Sequence, residues 1–148
     1  MMPEFRNKIE IAASPSQIWS ILIDFEKWPQ WSDSFSALQR LDDGPVGLGS
    51  RIRIKQPRLF PRNWTITEWN PDNSFSWISK GGGVTSFANH WIETDRDVCT
   101  FHQSMNISGF LGRPTAILLK ATICRYMDME AAGLKDRSER RDQLPVPE

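Results

Sequence analysis

Cysteine, histidine and tyrosine are scarce in this sequence, with two, two and one among 148 residues. Cys99 and Cys124 lack the C-x-x-C spacing of redox and metal motifs and sit in apolar surroundings, so two buried thiols are expected and not a disulfide framework. His90 and His102, without a clustered carboxylate, cannot supply the three or four ligands of a metal centre, and no metal or cofactor is expected. Net charge is missing as well: 18 Lys+Arg against 18 Asp+Glu excludes a polybasic nucleic-acid binder and implies no electrostatic partner. The longest apolar run, Ala116 to Leu119, falls far short of the roughly 20 residues of a membrane helix. Met1-Met2-Pro3-Glu4 has no basic region leading into an apolar stretch, so a cytoplasmic protein with no membrane insertion is expected. Gly81-Gly82-Gly83 leads into neither a helix nor a Lys-Ser pair and reads as a turn, not a phosphate loop. There is no nucleophile elbow.

Aromatics, by contrast, are in surplus. Seven Trp and eight Phe exceed what a single core of this size requires, and such a surplus suits a core with a hollow in it. The alternation of Phe5, Asn7, Ile9 and Ile11 against Arg6, Lys8 and Glu10 predicts a first strand with its odd positions inward. Ser14 as N-cap and Pro15 at the first helical position open a helix carrying Ile18, Trp19, Ile21, Leu22 and Phe25 on one face. Trp28-Pro29-Gln30-Trp31 breaks it, and a second short helical turn follows. Turn clusters at 42–45, 70–73, 81–83 and 95–97 then divide six antiparallel strands, near 34–41, 49–56, 62–69, 74–80, 85–94 and 98–108, with Pro57 to Pro61 read as a loop or bent edge. After Gly112 the period lengthens to about 3.6: Ile117, Ala121, Cys124, Met127, Ala131 and Leu134 predict a long amphipathic helix from about 114 to 137, with Gly133 fraying its end. Residues 1–139 form one domain in this reading, and 140–148, with little to bury, form a disordered tail. The class is α+β: a seven-stranded curved antiparallel sheet around a long C-terminal helix, with two short helices after the first strand.

That order is the helix-grip arrangement, and particular residues sharpen it. The run from Ile11 to Leu22 with Phe25, Trp28 and Trp31 resembles the opening of the START-like (SRPBCC, Bet v 1-like) superfamily in its polyketide cyclase/dehydrase branch. Trp64-Thr65-Ile66-Thr67-Glu68 with Asn70-Pro71, then Phe75 and Trp77, then Ser108-Gly109-Phe110-Leu111-Gly112, then Gly133-Leu134-Lys135 with Glu139, are similar to its later signatures. The resemblance implies binding of a small hydrophobic ligand, lipid-like or polyketide-like, by a monomer or homodimer, or else a cyclase, aromatase or dehydratase. Relatives often carry an acidic residue on the last strand where this chain has Met105, so no carboxylate chemistry is implied on that strand.

A sheet curled around a helix leaves a gap with apolar walls, because unpaired polar groups there would cost several kcal/mol, on the order of a lost hydrogen bond or more. Alternation assigns the lining to Trp64, Ile66 and Glu68, to Phe75 and Trp77, to Phe101, Gln103, Met105 and Ile107, and, on the helix, to Ile117, Ala121 and Cys124. One hairpin leaves two registers open. A three-residue loop at 95–97, favoured by hydrophobicity, puts His90 outside opposite His102 and sends Trp91 inward; a two-residue turn pairs His90 with Gln103 inside the cavity. Glu68, His90 and Tyr126 are the acid–base candidates, since burial raises a carboxyl pKa and lowers that of an imidazole.

Overall fold

The computed structural model describes residues 3–143. Its elements run β1 (Glu4–Ile11), α1 (Pro15–Leu22), a 3-10 helix (Phe25–Gln30), β2 (Ala37–Arg40), β3 (Arg51–Lys55), β4 (Arg62–Asn70), β5 (Ser74–Gly81), β6 (Val84–Asp95), β7 (Val98–Ser108) and α2 (Gly112–Gln143). All seven strands pair antiparallel in one sheet, ordered β1-β7-β6-β5-β4-β3-β2. This is the helix-grip arrangement expected from the sequence, with α2 lying across the inner face. None of the described helices is long and apolar enough to cross a membrane.

Local chemistry accounts for the boundaries. The Ser14 side chain accepts a hydrogen bond from the Gln17 N–H at 3.2 Å and Pro15 starts α1. The Trp28 indole donates to the Leu22 carbonyl at 2.8 Å, satisfying an orphan acceptor at the end of that helix while the ring is fully buried. Around Trp28 gather Phe25, Trp31, Phe35 and Trp77, each with its ring centroid 4.9–5.5 Å from that of Trp28, an aromatic cluster within the core.

Two expectations about α2 are corrected. The helix does not fray at Gly133 but continues to Gln143, so it occupies the first residues of the expected tail; residues 144–148 lie outside the described residues. Gly133 is there because a β-carbon would overlap the Trp31 carbonyl oxygen: the helix crosses the chain at this point with no room for a side chain. Hydrogen bonds follow just beyond the crossing, from Gln17 Nε2 to the Ser138 carbonyl at 3.1 Å and from Lys135 Nζ to the Glu10 carbonyl at 2.8 Å, with the Ala12 N–H donating to Glu139 at 2.9 Å.

The β6–β7 hairpin turns on Arg96 and Asp97 alone, with Asp95 opposite Val98. Arg96 adopts φ 58°, the left-handed conformation such tight turns use. The three-residue loop favoured by hydrophobicity is therefore overturned: His90 pairs with Gln103, and both point inward. Trp91 takes the outer face and stacks on His102 with centroids 4.9 Å apart and planes within 1°. Each ring covers the other, which is how the outer face tolerates an indole that hydrophobicity would send inward.

Candidate functional site

Between α2 and one end of the sheet lies a cavity of about 580 Å³. Its origin can be followed along single strands. On β5 the inward residues shrink from Phe75 and Trp77 to Ser79; on β6 they shrink from Ile92 and His90 to Ala88 and Ser86. Small side chains on the sheet, opposed by Thr115, Leu119, Ile123 and Met127 of α2, leave the space unfilled. Trp64, Trp77, Met105 and Ile107 complete the apolar walls, and Leu59, Phe60 and Pro61 of the β3–β4 loop stand at the mouth.

Of the residues expected to line it, Trp64, Trp77, His90, Gln103, Met105 and Ile107 do so. Ile66, Phe75 and Phe101 face the same way but belong to the solid core and do not reach the cavity. Trp91 is on the outer face. Ile117 is 69% exposed and Ala121 is exposed too, while Cys124 is half-buried and touches no part of the cavity. The expected stripe of α2 holds in its second half, where Met127, Ala131 and Leu134 are buried, and departs in its first, where Ala116 is buried in place of Ile117 and Ala121; Glu130 and Ser138 are the buried polar positions on the same face. Glu68 is also corrected. The pairing of β4 with β5 shifts register between Ile66 and Glu68, and this bulge sends Glu68 outward opposite Ser76 while Trp69 turns in beside Phe75.

Glu130, which sequence reasoning passed over, is the polar group that matters most. It sits three residues after Met127 and four before Leu134, so it lies on the buried stripe, and a lone carboxyl on such a stripe was the available signal. Its Oε1 is 3.9 Å from His90 Nε2, and both side chains are buried at the inner end of the cavity. Burial pushes the Glu130 carboxyl up to about 8 and brings the His90 imidazole down to about 3, the Phe75 main chain offsetting a lesser part of the latter. At neutral pH the pair is thus a carboxylic acid facing a neutral imidazole, not an ion pair. His90 Nδ1 has no hydrogen-bond partner among the described residues, although its ring stacks on Phe75 with centroids 4.4 Å apart.

The neighbours of the pair are held rigidly. Gln103 Nε2 donates to the Met127 carbonyl at 2.6 Å, tying β7 to α2 one turn before Glu130. Tyr126, the third acid–base candidate, lines the cavity, but its hydroxyl donates to the Pro57 carbonyl at 2.6 Å and braces the mouth loop against the helix. Nearer the opening, Arg62 donates through Nε to Ser79 Oγ at 2.9 Å and through Nη2 to the Val84 carbonyl at 3.0 Å; partial burial lowers its pKa. From mouth to floor the cavity therefore offers a cation, apolar walls, and a neutral donor–acceptor pair. A separation of 3.9 Å is too long for a direct hydrogen bond and suits one oxygen atom that contacts both groups.

Comparison with known structures supports the architecture. The chain superposes on the Zhui aromatase/cyclase of Streptomyces sp. R1128 with a TM-score of 0.79 at 14% identity, covering 96% of each chain. It superposes on norcoclaurine synthase of Thalictrum flavum with a TM-score of 0.75 at 15% identity, covering 96% of this chain and 97% of that one. A START superfamily protein of Mycobacterium smegmatis gives 0.71 at 17% identity, over 90% and 97%. Likeness at these identities establishes the fold. Among curated relatives, an uncharacterized protein of Mycobacterium tuberculosis is 24% identical over 67 residues, which is 45% of this chain and only 40% of that protein. The family model described as polyketide cyclase / dehydrase and lipid transport matches residues 2–139, nearly the whole chain, and the protein belongs to that family.

Proposed function

We propose that the domain binds one small, largely apolar molecule bearing a carbonyl or hydroxyl oxygen, with that oxygen between His90 and Glu130 and the apolar body along Trp64, Trp77 and Met105. The observation that carries this reading is a cavity of about 580 Å³ whose apolar walls end on a buried donor–acceptor pair, a size within the range of pockets for small organic ligands. The family includes ligand carriers as well as cyclases, which agrees with it. The test is uptake of a naphthalene-type dye by the folded protein at a stoichiometry near one, with Trp77→Ala changing its affinity. Dye binding that appears only on partial denaturation would remove the basis of the proposal.

A second reading, acid–base catalysis of the cyclase or dehydratase kind, is favoured by one specific observation: two titratable groups converge at the floor, where a binding protein needs only hydrogen bonds. The shifts divide the roles. A carboxyl near 8 is a competent acid at neutral pH for protonating a carbonyl or a departing hydroxyl, whereas an imidazole near 3 is a poor base. Glu130 is then the catalytic group, and His90 fixes the substrate oxygen. A panel of poly-β-ketone and β-hydroxy carbonyl compounds, turned over by wild type and slowed about 100-fold in Glu130→Gln with dye binding retained, would establish it. Background rates throughout leave binding as the function.

A further inference from the structure

The balanced net charge hides a partition. At the end of the sheet away from the cavity, the turns between β2 and β3, β4 and β5, and β6 and β7 carry Asp42, Asp43, Asp72 and Asp97, with Asp95 closing β6 beside them and Arg96 the one cation among these turns. The mouth end is built from the β3–β4 loop, the β5–β6 turn, the β7–α2 connection and the first turns of α2, and it carries Arg58, Lys80, Arg113 and Lys120. No aspartate or glutamate occurs from Gly44 to Thr67 or from Val98 to Met127. Glu4, at the start of β1, is the acid nearest this end, and it is paired with Arg6.

The same end exposes large apolar side chains. Phe60 is 91% exposed, Phe110 84% and Leu118 83%. Their exposure is held in place by the surrounding structure. Lys55 Nζ donates to the carbonyls of Gln56 and Leu59, and Tyr126 to that of Pro57, clamping the loop that presents Phe60. Phe110 leans over Gly83, fixed by the Leu111 N–H on the Gly83 carbonyl at 2.9 Å. Leu118 adjoins Leu119, which lines the cavity.

We propose that this end docks on an anionic lipid bilayer, with Phe60, Phe110 and Leu118 entering the headgroup layer and Arg58, Lys80, Arg113 and Lys120 meeting lipid phosphates. Protruding apolar groups ringed by cations are the interfacial combination. An acidic protein partner would match the cations equally well but would leave three isolated apolar tips unaccounted for. The cavity mouth opens inside the proposed footprint, so an apolar ligand passes between bilayer and cavity without crossing water. The proposal does not depend on catalysis at Glu130.

The experiment is flotation of the full chain with vesicles of phosphatidylcholine alone or mixed with phosphatidylglycerol. Wild type should float with the phosphatidylglycerol vesicles, stay behind with pure phosphatidylcholine, and be released by salt. Arg113→Glu with Lys120→Glu should weaken binding by about 10-fold or more, since each cation near such a surface is worth roughly 5-fold. Phe110→Ser with Leu118→Ser should weaken it similarly, while both variants melt as wild type does. No flotation at low salt overturns the proposal, and so does equal flotation of the folded variants. Retention on immobilised polyglutamate without vesicle binding also overturns it, in favour of an acidic protein.

Discussion

The two ends of the inner face differ in what fills them. Beside the 3-10 helix, Phe25, Trp28, Phe75, Trp77 and Phe101 interlock with almost no exposure; beside the first turns of α2, a small cluster of Val84, Ile107 and Ala116 borders open space. The same three strands, β5, β6 and β7, serve both ends. Curvature alone therefore does not make the cavity: the size of the inward side chains does, and the change comes within two or three residue pairs of His90. The solid end holds the fold so that the hollow end can stay empty.

If that division is right, mutations of like kind should have unlike effects at the two ends. The largest effect is expected from Trp28→Ala, which removes a fully buried ring and its hydrogen bond to Leu22: about 3–5 kcal/mol of stability, read by denaturant unfolding. Gly133→Ala should follow at about 2–3 kcal/mol, because the new methyl group must displace either the helix or the Trp31 carbonyl. This reverses the usual gain from replacing glycine in a helix, so a raised melting temperature would refute the close crossing.

A smaller effect sharpens the boundary between the ends. Glu130 has its folded pKa raised from 4.5 to about 8, so stability falls as pH rises through that interval, where the unfolded chain ionises and the folded one does not. His90 has its folded pKa lowered from 6.5 to about 3, so stability falls as pH drops through that interval. The two opposing slopes cancel between about 4.5 and 6.5, where stability should be greatest, with a loss of roughly 1–2 kcal/mol by pH 8. In that window folding effectively moves a proton from the imidazole to the carboxyl. Glu130→Gln should abolish the decline above pH 6.5 and leave the acidic one; a decline that survives would place its origin elsewhere. Least of all, Leu119→Ala at the cavity wall should cost within about 1 kcal/mol, since its side chain already borders empty space, yet it should alter dye affinity.

The contrast also explains what was legible in the sequence. Caps, turn residues and the two- and 3.6-residue periods are local, and they lead to every element in order. Where the expectations failed, a non-local decision intervened. The bulge that turns Glu68 outward depends on how β4 meets β5, and the placement of His90 depends on whether a turn has two residues or three. The stripe of α2 was drawn through apolar residues, which selected the exposed Ile117 and Ala121 and passed over Glu130. Hydrophobicity finds the face that packs, but at a cavity the helix faces empty space, and the rule that buried means apolar no longer selects the residue.

The close crossing at Gly133 has a mechanical side. Beyond it, toward the chain's end, Lys135, Ser138 and Glu139 are fastened to β1 and α1, whereas the opposite stretch of α2 reaches out over the hollow. From Gly133 back to Ala116 that arm is roughly 25 Å long at the rise of an α-helix, so a tilt of only about 5° about the crossing swings its far end by roughly 2 Å. A helix pivoting there would be a lever with its fulcrum at a residue that has no side chain, and the Gln103–Met127 and Tyr126–Pro57 hydrogen bonds are what oppose that motion. The residues that set the seat of the helix, Gly133 and Trp31, thus lie at the opposite end of it from the cavity mouth.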